Sequence, residues 1–138
     1  MDDYPENPNS EAHRPLACVL ACSGCSRAGE LADKTARRLN ELGLAKMSCL
    51  AGVGGRVKSI TTTVQRAPEI LMIDGCPLEC GAHILRLAGF SVFKHIKLHE
   101  LGVRKHDNEV NDTIVQSLAD SAASLLAVPK TISETVTK

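Results

Sequence analysis

A chain of 138 residues, with 16 Lys and Arg balanced by 16 Asp and Glu, is long enough for one domain with a real core. It carries no charge excess that would draw it to nucleic acid or to an acidic membrane surface. Aromatic residues are confined to Tyr4, Phe90 and Phe93, so the core has to be aliphatic, and six cysteines are too few for a disulfide scaffold and many for a plain core.

Residues 1–15 are polar and carry Pro5, Pro8 and Pro15, which reads as a disordered N-terminal tail. Leu16 to Ala21 is an apolar run of strand length. Its end, Val19-Leu20-Ala21-Cys22, weakly resembles a lipoprotein cleavage box. Asp2, Asp3, Glu6 and Glu11 precede it, where a signal peptide carries positive charge. No segment is long enough to span a bilayer. The expectation is therefore a cytoplasmic protein, where free thiols and bound metals are commoner than disulfides.

Cys22-Ser23-Gly24-Cys25-Ser26 is a loop of small residues. Arg27 to Leu42 has helical spacing through Leu31, Ala32, Thr35, Leu39 and Leu42, and Gly43 stops it. Ala45 to Leu50 reads as a short strand running into a glycine-rich loop, Cys49 to Gly55. A helix is expected over Arg56 to Arg66. Ile70 to Ile73 is a strand covered on both faces, broken by Asp74-Gly75. Cys76 then falls at an N-cap position and Pro77 at the first helical one, so Cys80 lies one turn further in. Side chains four apart on a helix lean the same way, and the two sulfurs can face one point above the strand end. That helix ends near Gly89, Val92 to Leu98 is a fourth strand, and His99 to Gly102 a turn. Asn111 to Ala127 is an amphipathic helix with Ile114, Leu118, Ala122 and Leu125 on one stripe. Residues 128–138 read as a flexible tail.

Short buried strands alternating with helices predict an α/β fold over residues 16–127. The expected architecture is a single Rossmann-like domain, a mostly parallel sheet of about four strands with helices on both faces. In such a sheet ligand sites form at the carboxyl ends of the strands. Cys22, Cys49 and Cys76 each follow an expected strand, and Cys80 opens a helix beside the same edge. Several thiolates in one place repel unless a cation sits among them, and zinc takes four sulfurs at about 2.3 Å. Helix N-termini at that edge offset the excess negative charge.

Three segments carry a resemblance to a known family. They are Cys22-Ser23-Gly24, Lys46-Met47-Ser48-Cys49-Leu50-Ala51-Gly52-Val53-Gly54 and Ile73-Asp74-Gly75-Cys76-Pro77-Leu78-Glu79-Cys80. Together they resemble the DGC-domain family of zinc-binding proteins, over roughly Leu16 to His106. The resemblance implies a Zn2+ site whose four cysteines map to Cys22, Cys49, Cys76 and Cys80. It implies no reaction. Cys25 stands where many members have a small residue, and is either an alternative ligand or a redox partner. Cys18 alternates away from the strand end and reads as core.

Two other chemistries compete. Cys22 and Cys25 follow a strand and open a helix, as the redox pair of a thiol/disulfide oxidoreductase does, though the chain order lacks the antiparallel hairpin of a thioredoxin fold. Four cysteines at strand ends also suit an iron–sulfur cluster. His83 and His99 are substitute ligands, although a surface or structural role is the commoner one for such histidines. Asp74 is expected to hold its own turn, the commoner role for Asp before Gly, with support of a metal ligand or proton transfer as the rarer alternative. Cys80 and Arg86 match the spacing of a phosphatase loop, but the residues between them read as helix. The expected ligand is a metal ion, with no nucleic acid and no membrane, and a protein partner is left open.

Overall fold

The computed structural model describes residues 15–127. The expected tails at 1–15 and 128–138 lie, apart from Pro15, outside the described residues. Four parallel strands form the sheet: β1 (Ala17–Ala21), β2 (Ala45–Met47), β3 (Ile70–Asp74) and β4 (Lys94–Lys97), in the order β2-β1-β3-β4. The helices are α1 (Arg27–Glu41), α2 (Leu50–Gly54), α3 (Lys58–Arg66), α4 (Cys80–Leu87) and α5 (Asp112–Ala123), with a 3-10 helix at Leu98–Leu101. This is the expected α/β, Rossmann-like domain.

β1 and β3 are central and buried at every residue, which is why they are continuous apolar runs rather than alternating ones. Their register pairs Val19 with Leu71 and Leu20 with Met72. Alternation then sends Val19, Ala21, Leu71 and Ile73 to one face, against Leu31 and Leu39 of α1 and Leu118 of α5. Leu20 and Met72 go to the other face, with Val53, Val64 and Leu85 of α2, α3 and α4. The core is aliphatic, as the composition requires. α1 starts where the Ser26 side chain accepts the Gly29 N–H at 3.0 Å, and Gly43 follows its end with φ +72. Among the described residues no helix is long and apolar enough to cross a membrane.

Several boundaries differ from expectation. β2 stops at Met47, and most of the expected glycine-rich loop is instead the short helix α2 with Cys49 as its N-cap. Packing overrides the poor helix propensity of glycine here. A Cβ on Gly52 would fall 2.7 Å from the Ile60 side chain, so bare backbone is what lets this turn close against α3. α4 begins at Cys80, not Pro77, so Cys76 is not its N-cap and the two thiols do not share one helical turn. β4 is shorter than Val92 to Leu98, the turn after it is the 3-10 helix, and α5 is shorter at both ends than Asn111 to Ala127.

The turn after β3 lies directly on the first turn of α1. A Cβ added to Gly75 would collide with the carbonyl of Ala28, which is backbone and fully buried. Gly75→Ala is therefore expected to cost about 1–3 kcal/mol, read as a lowered midpoint in urea or thermal unfolding. Gly24→Ala, whose Cβ meets nothing within 4 Å, should stay within about 0.5 kcal/mol of the parent.

Candidate thiol site at the strand ends

The strand order places a topological switch between β1 and β3. The chain leaves β1 across one face toward β2, by way of α1, and leaves β3 across the other toward β4, by way of α4. The crevice between those two strand ends is where open α/β sheets bind ligands. Cys22 follows β1 into it, and its N–H extends the ladder by donating to Ile73 O at 3.1 Å. Cys76 follows β3. Both thiols are half-buried and pack against the core on the α1 side.

Burial pushes the Cys22 thiol above its ordinary pKa. The N–H groups of Gly75 and Gly24 approach its sulfur and favour the thiolate, while the charges of Asp74 and Cys76 oppose it. Cys22 and Cys76 are thus close enough to couple. Ser23, next in the chain, is left-handed at φ +47, and its hydroxyl donates to Asp33 Oδ1 at 2.9 Å.

The other two expected ligands enter from the opposite side. Cys49 caps α2, its sulfur accepting the Gly52 N–H at 3.3 Å. Cys80 is the first residue of α4. α2 and α4 pack side by side on the second face, and both start at the carboxyl edge. Both thiols are exposed. Cys25 is exposed too and precedes the N-cap Ser26, beside Arg27, Glu30 and His106. Cys18 is 4% exposed in the second-face core, as its alternation implies.

The donor chemistry suits a soft cation: thiols at one edge, with backbone N–H groups turned toward two of the sulfurs. The arrangement is incomplete. Among the described residues no three Cys, His, Asp or Glu side chains are grouped to hold a metal ion. Topology brings the segments together, but the local turn sets where each side chain points. The Cys49 sulfur is turned onto its own helix, and Cys80 faces solvent.

Sequence reasoning overlooked His95, which completes the best-ordered polar group at this edge. Asp74 is 1% exposed. Its Oδ1 accepts the Gly81 N–H at 2.8 Å, its Oδ2 the Ala82 N–H at 3.1 Å, and Oδ2 also lies 2.7 Å from His95 Nε2. Asp74 therefore holds the start of α4 rather than its own turn. His95 sits on β4 opposite Met72. The available signal was its alternation with Phe93, which sends both side chains toward the second face. His83 is exposed, and His99 is half-buried with Nδ1 lacking a hydrogen-bond partner. Arg27 pairs with Glu30 at 3.3 Å. Cys80 and Arg86 both lie in α4, with Arg86 over the Phe93 ring, so no phosphate loop joins them.

A family model described as the DGC domain matches residues 18–122. The chain belongs to the DGC-domain family. Within it, the Anaerobic and virulence modulator AnvM of Pseudomonas aeruginosa is 42% identical over 95 residues, covering 69% of this chain and 72% of that protein. No solved structure matches this DGC domain.

The buried thiol at Cys18 gives a pH prediction. Burial raises its pKa from 9.0 to about 11, so the folded state holds this proton when the unfolded chain has lost it. Its contribution to stability is complete below pH 9 and is lost as pH rises toward 11. Urea unfolding across that range should show stability falling by up to about 1.4 kcal/mol per pH unit from this group. Cys18→Ala should show a shallower fall.

Proposed function

We propose that this DGC domain is a regulatory thiol module that binds zinc through Cys22, Cys49, Cys76 and Cys80. The observation that carries the reading is the position of Cys22 and Cys76 just after β1 and β3, on either side of the switch-point crevice, with the Gly24 and Gly75 N–H groups approaching the Cys22 sulfur. Cys49 and Cys80 wait at the starts of the neighbouring helices α2 and α4. Uptake of the ion then requires those two exposed thiols to close onto the Cys22–Cys76 pair. A bound zinc would supply the positive charge that lets four thiolates share one place. Thiols bind metal only when reduced, so such a site works in a reducing compartment such as the cytoplasm. The curated relative is named a modulator of anaerobic and virulence behaviour, and a thiol site loaded under reducing conditions suits an output of that kind.

The redox reading through Cys22 and Cys25 has less support. An oxidoreductase needs a nucleophilic thiol of lowered pKa at a helix start. Burial raises that of Cys22, and the helix start belongs to Ser26.

Metal content by plasma mass spectrometry on protein purified under reducing conditions is the test. One zinc per chain is expected, lost in Cys76→Ser and kept in Cys25→Ser. Iron with a brown colour would replace zinc by an iron–sulfur cluster. A metal-free protein whose Cys22 and Cys25 form a titratable disulfide once the reductant is removed would overturn the metal reading altogether.

A further inference from the structure

The loop from Cys76 to Cys80 is anchored by a side chain outside it. Pro77 and Leu78 at its crest are exposed, and its internal bond is a long one, Glu79 N–H to Cys76 O at 3.3 Å. Its stem is held firmly. Asp74, two residues before Cys76, takes the Gly81 and Ala82 N–H groups and His95 Nε2. On the other side of the same imidazole, Nδ1 lies 3.6 Å from Glu79 Oε1. That separation is long for a hydrogen bond but within reach of an ion pair. One ring, 15% exposed, therefore spans from Asp74, at the stem before the loop, to Glu79, the residue preceding Cys80.

Two further features belong to the same arrangement. Glu79 has φ +53 and ψ 42, a left-handed conformation that costs a residue with a Cβ about 1–2 kcal/mol. It gives α4 no side-chain cap of its own, so the capping comes from Asp74. Gly81 is the residue that lets α4 settle so close. A Cβ there would overlap the Met72 side chain and approach Asp74 Oδ1 to 2.9 Å. The strained turn and the bare backbone both serve the contact that His95 closes.

We infer that His95 is a positioning residue for the Cys76 and Cys80 thiols. By tying Asp74 to Glu79 it sets the separation and direction of the two sulfurs at the mouth of the site. The inference rests on the reading of Cys76 and Cys80 as metal ligands. Residues that orient ligands in this way typically change metal affinity 10–100-fold when removed.

The test uses cobalt(II) as a spectroscopic probe of the full chain, and phenylarsine oxide, which bridges two thiols with loss of water, as a metal-free probe. The arsenical is used on a chain whose Cys22, Cys25 and Cys49 are serine. His95→Ala should weaken cobalt binding by at least about tenfold and shift its thiolate charge-transfer band. It should also slow arsenical bridging of Cys76 and Cys80. His95→Gln, whose amide N–H can reach Asp74, should recover most of the affinity. His83→Ala, an exposed change on α4, the helix that Cys80 opens, should match the parent. Should His95→Ala fail to fold, Glu79→Ala removes the far anchor alone and is expected to weaken both readouts. A folded His95→Ala or Glu79→Ala with parental affinity, spectrum and bridging rate overturns the inference. A parent chain that takes no cobalt overturns the metal reading instead, and the arsenical then decides the role of His95 by itself.

Discussion

A carboxylate at the end of a central strand is costly to bury, and Asp74 is tolerated there because its neighbours at hydrogen-bond distance are donors. Two come from the first turn of α4 and one from His95 on β4. The same group does three structural jobs. It satisfies orphan N–H groups at a helix start. It joins β3 to β4 by a side-chain contact as well as by the ladder. It also fixes the residue at which α4 begins, and hence the position of Cys80. The positive φ of Glu79 precedes that contact, and the missing side chain of Gly81 leaves room for both Met72 and Asp74 beneath the helix start.

The thiols are governed by two layers of constraint with different ranges. Parallel topology is the long-range one: it brings residues 22, 49, 76 and 80 to one edge because β1, β2 and β3 all point the same way. Local backbone is the short-range one. The ladder bond from Cys22 to Ile73 O and the turn at Gly75, pressed on Ala28, set Cys22 and Cys76 at the ends of the two central strands, packed on the α1 side. Cys49 and Cys80 obey their own helices, one sulfur capping α2 and the other facing solvent. The opposing influences on Cys22 belong to the same picture. Burial and nearby negative charge keep the thiol protonated, while two backbone N–H groups ease the approach to thiolate. A cation reverses the first influence and exploits the second.

Most of the fold was legible in the chain. Continuous apolar runs at 16–21 and 70–73 marked strands buried on both faces, and alternation with helices forced a parallel sheet with its site at the carboxyl edge. The misread pieces share a cause. At Cys49 to Gly55, glycine looked like loop because propensity treats each residue alone, whereas the helix there exists through packing on Ile60. At Pro77, local capping rules placed a helix start, whereas the Asp74 carboxylate at the end of β3 takes the N–H groups of a helix that starts at Cys80.

By itself, then, the sequence determined the architecture, the aliphatic core and the segments that share one edge, because these follow from periodicity and connection order. It marked Asp74 and the cysteines as the chemistry-bearing residues. Only the tertiary structure decided how they are placed: Cys22 and Cys76 half-buried on the α1 side, Cys49 and Cys80 exposed, and Asp74 against His95 across twenty-one positions of chain. Hydrophobic pattern tells which face a side chain takes, since burial is a property of the single residue. Register and turn geometry tell what it touches, and those depend on neighbours that only folding supplies.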